Sequence, residues 1–122
     1  MFDWAKYLTL AEELATRNHD EAALRSAVSR AYYAVFCTAR GHLRLQGVEV
    51  PRKAPHDFVW NHYRHAGGRR RQIGLDGDRL KKNRNLADYE DSPFDLVGKV
   101  KDSIETAKEL LNALRNLDGS QS

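Results

Sequence analysis

The feature that most constrains this chain is one long amphipathic stretch, residues 26–43 (SAVSRAYYAVFCTARGHL). Alanines recur along it at helical spacing, which allows a second helix to approach closely. Arg30, Tyr32 and Tyr33 stand in its middle, and burying a guanidinium or a phenol is costly unless the group finds polar partners. We therefore expect a long core helix that either holds a polar network or lines a site.

Helical spacing also dominates the rest of the chain. We predict five helices, over about residues 3–16, 20–45, 56–65, 79–89 and 93–119. Asn18 or Asp20 is expected to cap the second helix, and Ser92 the last one, with Pro93 at its first position. The arginine- and glycine-rich residues 69–78 predict a mobile connection. The whole pattern predicts an all-α antiparallel bundle with up-and-down topology, one domain over residues 1–118 and a frayed tail at 119–122.

Composition narrows the class of protein. Hydrophobic residues make up 41% of the 122, enough for one domain with a proper core. A single cysteine, Cys37, excludes an intramolecular disulfide, and we expect it to be a buried apolar group. No signal peptide and no membrane-spanning run is visible, so we expect a soluble cytoplasmic protein.

Charge is segregated along the chain. Residues 52–84 hold ten basic and three acidic side chains, a net charge of +7, whereas residues 85–122 hold four basic and eight acidic, a net charge of −4. A positive field of this kind attracts phosphate-bearing partners. The other interpretation is that a loop and a solvated helix face happen to be rich in arginine, and the sequence leaves both open.

Three segments carry a family resemblance: YLTLAEEL at residues 7–14, SRAYYAVF at 29–36 and RNLADYE at 84–90. Their order and spacing resemble those of the HEPN domain, a family of small helical bundles found widely in prokaryotes. The third segment is similar to a stand-alone branch with an Arg-x-x-Ala-Asp-Tyr motif. The resemblance implies a homodimer, and either a metal-independent ribonuclease of a toxin–antitoxin or defence system or a catalytically silent binding module. It also implies a nucleotidyltransferase as a possible antitoxin partner.

The nuclease members of that family carry a histidine four to six residues after an arginine. In this chain Arg84 and Asn85 occupy the arginine position and its polar neighbour, but Asp88 and Tyr89 follow and no histidine does. An arginine and a histidine at this spacing suit RNA cleavage, because a base must take the 2′-hydroxyl proton while a cation stabilises the phosphorane. His62 or His65, near the arginines, could supply the base from outside the motif.

Candidate site residues follow from these patterns. Arg84 and Asp88, four residues apart, share one helix face and are the candidate catalytic pair. They could equally form a structural ion pair, or Asp88 could pair with Arg30 of the long helix. The candidate substrate-binding residues are the following: Arg30, Tyr33, Asn85, Tyr89, Arg69, Arg70 and Arg71. No histidine or cysteine spacing matches a zinc motif, so we expect no metal and no cofactor.

Two function classes remain from the sequence. The first is an enzyme, a metal-independent ribonuclease or toxin. The second is a silent module that binds a nucleotide, nucleic acid or a nucleotidyltransferase, and the missing histidine favours it. A purely structural assembly role is a third. A homodimer is expected, with Trp4, Phe36 and Trp60 as candidate apolar anchors.

Overall fold

The computed structural model describes residues 1–92 and 95–119, and every regular element within them is an α-helix. These helices are α1 (Lys6–Ala15), α2 (Glu21–Leu45), α3 (Pro55–His65), α4 (Gly68–Tyr89) and α5 (Leu96–Gly119). The predicted all-α helical bundle is confirmed. Helix α2 lies at its centre and packs against α1, α4 and α5, while α3 packs mainly against α4.

Helix α2 forms where the amphipathic stretch predicts it. The Asp20 carboxylate accepts a hydrogen bond from the Ala23 amide at 3.1 Å, which caps the helix, and Glu21 faces the positive end of the helix dipole. The four alanines of the stretch are fully buried, as is Tyr32, and Cys37 is buried too. Small residues on this face let the neighbouring helices approach α2, so α2 becomes the spine of the core.

Helix α4 is longer than predicted, and the expectation of a mobile connection over residues 69–78 is wrong. The segment is helical because its small residues pack against α3. Gly74 and Gly77 are buried, and a β-carbon at Gly77 would lie 2.3 Å from the Trp60 ring. The glycines that indicated a loop are therefore contact points between two helices. Two residues separate α3 from α4, and Gly67 at the turn has a φ of 76°, a conformation that favours glycine.

Helix α5 begins later than predicted. It starts at Leu96, and the Asp95 carboxylate, rather than Ser92, accepts a hydrogen bond from the Gly98 amide at 3.0 Å. The predicted first helical residue, Pro93, lies outside the described residues, and so does most of the tail predicted to fray, residues 120–122.

The core also settles the position of the large aromatic residues. Trp60 and Phe36 are buried within the single chain, and Trp4 is half-buried. Of the three anchors expected to stabilise a dimer, two are therefore core residues. None of the helices in the described part of the chain has an apolar stretch that could span a bilayer.

Candidate functional site

Arg84 is a buried cation held among aromatic rings. It projects from the C-terminal half of α4, and only 9% of its side chain is exposed. Its guanidinium carbon lies 5.3 Å from the ring centroids of both Tyr32 and Tyr33 and 6.0 Å from that of Tyr89. Aromatic faces stabilise a cation that has lost most of its water, so these three rings account for much of its tolerance of burial.

The polar contacts of Arg84 are few and long. One terminal nitrogen lies 3.8 Å from Asp88 Oδ2 and 3.5 Å from the Tyr89 hydroxyl, and Nε, which is buried, has no hydrogen-bond partner among the described residues. A guanidinium carries five N–H donors and normally uses most of them when it is buried. Arg84 therefore has donor capacity left for an anion, and phosphate is the group whose oxygens match its forked geometry.

Asp88 lies at the edge of this cluster, with 27% of its side chain exposed. The Ser29 hydroxyl donates to its Oδ2 at 3.3 Å, and the Arg84 guanidinium lies within ion-pair distance of the same oxygen. The alternative pairing of Asp88 with Arg30 is not what the structure shows. Asp88 thus accepts from α2 and orients Arg84 on α4, which ties the two helices together at the site.

Cations and aromatic rings alternate across α1, α2 and α4. The guanidinium carbon of Arg30 lies 4.8 Å from the Tyr7 ring and 5.3 Å from the Tyr33 ring, and Tyr33 in turn faces Arg84. We call Tyr7, Arg30, Tyr33, Arg84 and Tyr89 the cation–aromatic ladder. Tyr89 is 72% exposed, so the ladder reaches from the core to the surface. Surfaces that combine positive charge with exposed rings suit single-stranded nucleic acids, whose bases stack on the rings.

His56 is a residue of the site that the sequence does not predict. It is the second residue of α3 and stacks on Phe36 with ring centroids 4.0 Å apart, and its Nδ1 lies 2.6 Å from the Tyr32 hydroxyl. That hydroxyl also accepts a hydrogen bond from Trp60 Nε1 at 3.0 Å. Because Tyr32 is fully buried, its own proton must go to His56 Nδ1, which places the proton of neutral His56 on Nε2.

The charge state of His56 follows from its surroundings. Burial, together with the nearby cations of Arg84 and Lys81, lowers the pKa of His56 from 6.5 to about 4, against a smaller opposing effect of Asp57. His56 is therefore neutral at pH 7. Burial likewise raises the pKa of the Tyr32 hydroxyl, so Tyr32 stays a neutral donor. No spacing rule links His56 to Arg84, because their meeting depends on how α3 packs against α2 and α4.

His62 and His65, which the sequence offers as alternative bases, lie elsewhere on α3. Both are exposed and line a shallow depression with Phe58 and Asn61. The ring of His62 contacts those of Phe58 and Tyr63, none of which belongs to the cation–aromatic ladder. The aromatic cluster around Arg84 contains His56 instead.

The remaining candidate residues are only partly gathered at Arg84. Asn85 is half-buried and makes none of the side-chain hydrogen bonds found among the described residues. Arg69, Arg70 and Arg71 are exposed in the first turn of α4. At 1.5 Å per residue they lie about 20 Å along the helix axis from Arg84. The three arginines and the ladder could therefore act on one ligand only if that ligand is extended.

Arg25 fixes the end of α4 beside the site. Its guanidinium donates to the backbone carbonyls of Ala87, Glu90 and Asp91 at 2.9, 2.6 and 2.9 Å, which satisfies carbonyls that the helix end leaves free. A groove of about 460 Å³ lies between α2 and α4 here, lined by Arg25, Arg30, Ser29 and Asp88 among others. The groove gives an anionic chain a route to the exposed edge of the ladder.

The described residues contain no group of three or more histidine, cysteine, aspartate or glutamate side chains that could hold a metal ion. The family model described as the HEPN domain matches residues 6–117, which is most of the chain. Comparisons with curated proteins and with solved structures give no match.

Proposed function

Because this chain belongs to the HEPN domain family, we propose that it binds RNA through a phosphate held by Arg84. The observation that carries the proposal is the buried guanidinium with an unpartnered Nε and only long contacts to Asp88 and Tyr89. Burying a cation costs free energy of desolvation that the long contact to Asp88 offsets poorly, and a bound phosphate would offset it better. The exposed ring of Tyr89 and the half-buried rings of Tyr7 and Tyr33 would stack the flanking bases.

The chemistry around Arg84 favours binding over cleavage. A general base must have a free lone pair within reach of the 2′-hydroxyl, but His56 Nδ1 is occupied by the Tyr32 hydroxyl. His56 is also uncharged at pH 7, so it is not an imidazolium that could protonate the leaving oxygen. The catalytically silent binding module is therefore the function that we propose first.

Metal-independent RNA cleavage, in a toxin–antitoxin or defence setting, is the second candidate, and one observation favours it. Asp88 is a partly exposed carboxylate next to a cation that could stabilise the phosphorane. In that case Asp88 would take the 2′-hydroxyl proton as the 2′-oxygen attacks the phosphorus of the phosphate that Arg84 holds, and the 5′-oxygen would leave and take a proton from water. This candidate predicts that Asp88→Asn abolishes cleavage, whereas the binding module predicts no cleavage by the unaltered protein.

We further propose that the chain works as a homodimer and that a nucleotidyltransferase is its protein partner, as the family resemblance implies. Light scattering at micromolar concentration should give twice the mass of one chain. The mass of a single chain would contradict the dimer.

Fluorescence anisotropy with a labelled single-stranded RNA tests the binding proposal. Arg84→Met keeps much of the side-chain volume but removes the charge, and it should weaken binding by about tenfold or more, the usual effect of losing a charged hydrogen bond. Arg17→Met, at an exposed arginine in the connection after α1, is the control. Far-UV circular dichroism and the melting temperature of each variant show whether the fold is intact.

The salt dependence of binding tests the arginines of α4. Replacing Arg69, Arg70 and Arg71 with alanine should lower the slope of log affinity against log salt by up to about 2, because each contacted phosphate releases a counterion. A matched variant, with Lys6, Arg17 and Lys101 replaced by alanine, removes the same charge elsewhere. Equal losses in the two variants would mean that the α4 arginines contribute only to net charge.

A further inference from the structure

A second cavity lies on the opposite half of α2, away from Arg84. It has a volume of about 520 Å³ and is bounded by the N-terminal segment, the C-terminal half of α2 and the end of α5. Sites for small organic molecules span about 300–1,000 Å³, so the cavity is large enough for one. None of the residues of the cation–aromatic ladder lines it.

The inner surface of this cavity is apolar. Cys37, Leu111 and Leu114 line it and are buried at 6%, 8% and 2% exposure. Phe2 and Trp4 form an aromatic wall, with ring centroids 4.9 Å apart in an edge-to-face arrangement. Such a lining favours the apolar body of a ligand over a sugar or a free ion.

The polar lining is dominated by positive charge. Arg40, Arg44 and Arg115 line the cavity, and Asp3 is the one carboxylate beside them among the described residues. None of the three arginines forms an ion pair among the described residues. Nε of Arg40 is buried without a hydrogen-bond partner, and its guanidinium carbon lies 5.9 Å from the Trp4 ring. An anionic group in the cavity would give the Arg40 guanidinium a charged hydrogen-bond partner.

We propose that this cavity binds a small amphipathic carboxylate, a molecule with an apolar body and a single carboxylate group. The apolar body would contact Leu111, Leu114 and Trp4, and the carboxylate would accept hydrogen bonds from Arg40 and Arg115. The combination of an apolar interior and unpaired arginines distinguishes this ligand class from a neutral lipid, which would leave the arginines unpaired, and from inorganic phosphate, which would leave the interior empty. This site is separate from the RNA site proposed above.

Cys37 provides a direct report on occupancy, because it lines the cavity and is the one cysteine of the chain. Octanoate should slow alkylation of Cys37 by iodoacetamide, a neutral reagent, in a concentration-dependent manner that mass spectrometry follows. Calorimetry should give the same affinity. Octanol, which has the same chain and no charge, should bind at least about tenfold more weakly, the ratio expected for losing a charged hydrogen bond.

Two variants and one control test the arginines. Arg40→Gln and Arg115→Gln should each weaken octanoate binding several-fold and leave octanol binding unchanged. Arg115 is exposed, so its replacement should not unfold the protein. Arg84→Met should leave octanoate binding unchanged, so failure of the RNA proposal and failure of this one are distinguishable. Equal affinity for octanol and octanoate would overturn the proposal. Protection of Cys37 by single-stranded RNA that is stronger than protection by octanoate would also overturn it. The same holds if dimerisation protects Cys37 and Arg115→Gln abolishes that dimerisation.

Discussion

Acidification should destabilise this domain through His56 before the carboxylates titrate. The pKa of His56 is lowered from 6.5 to about 4 in the folded chain, mainly by burial and next by Arg84. In the unfolded chain His56 takes up a proton once the pH falls below about 6.5. The unfolded state therefore binds more protons between these two values, and the free energy of unfolding must fall with the pH in that window.

The size of the effect follows from the same two pKa values. One pKa unit corresponds to about 1.4 kcal/mol, so a lowering from 6.5 to about 4 is worth about 3 kcal/mol when it is fully developed. The contribution is fully present above pH 6.5 and is lost progressively as the pH falls to about 4. Because His56 is half-buried rather than enclosed, we expect about 2 kcal/mol of this loss to be observed.

Urea unfolding at several pH values between about 7 and about 4.5 measures the effect. His56→Gln removes the titrating group but keeps an oxygen that can accept from the Tyr32 hydroxyl, so its free energy of unfolding should fall by about 2 kcal/mol less than that of the unaltered protein. His62→Gln, on an exposed histidine of the same helix, should behave as the unaltered protein does. Parallel pH profiles for His56→Gln and the unaltered protein would refute the reasoning.

Two further predictions concern packing and the end of α4. A β-carbon on Gly74 would lie 2.6 Å from the Trp60 carbonyl oxygen and 2.7 Å from the Arg64 amide, so Gly74→Ala should destabilise by about 1–2 kcal/mol despite its better helix propensity. Gly41→Ala, where the added atom meets nothing within 4 Å, should stabilise by about 0.5–1 kcal/mol, and the same sign for both in urea unfolding would contradict this account. Arg25→Ala removes three hydrogen bonds to backbone carbonyls and should cost about 1–2 kcal/mol. Amide exchange should then increase at the C-terminal turn of α4 and not at α3, and unchanged exchange would contradict the assignment.

Much of the bundle could be predicted from the sequence because its apolar residues recur at helical spacing. The sequence predicts helix α2 with its cap at Asn18 or Asp20, of which the structure shows Asp20, and it predicts α3 within a residue of its observed start. Helix α4 was predicted at only half its length, because its contact with α3 uses Gly74 and Gly77 rather than large apolar side chains. The sequence does not distinguish a glycine at a close helix–helix contact from a glycine in a loop, and only the packing separates the two cases.

The candidate site could be predicted only where it lies on regular helical spacing. Arg84, Asp88 and Tyr33 came from the motif segments of α2 and α4, and the structure brings these three side chains together. His56 and Arg25 could not be predicted from the motif segments, because each reaches the site across a helix–helix contact. His56 follows a loop with two prolines, and no sequence period relates it to α2 or α4.

The central claim is that Arg84 holds a phosphate of RNA, and the Nε–H resonance of Arg84 reports on it directly. In a ¹H–¹⁵N spectrum this signal is identified by its loss in Arg84→Lys. Titration with single-stranded RNA should shift it, with the midpoint that anisotropy gives for binding, because a phosphate bound to the terminal nitrogens changes the electronic environment of the adjacent, buried Nε–H. A resonance that stays in place when the protein is saturated with RNA, or that moves equally with sodium chloride alone, would contradict the account.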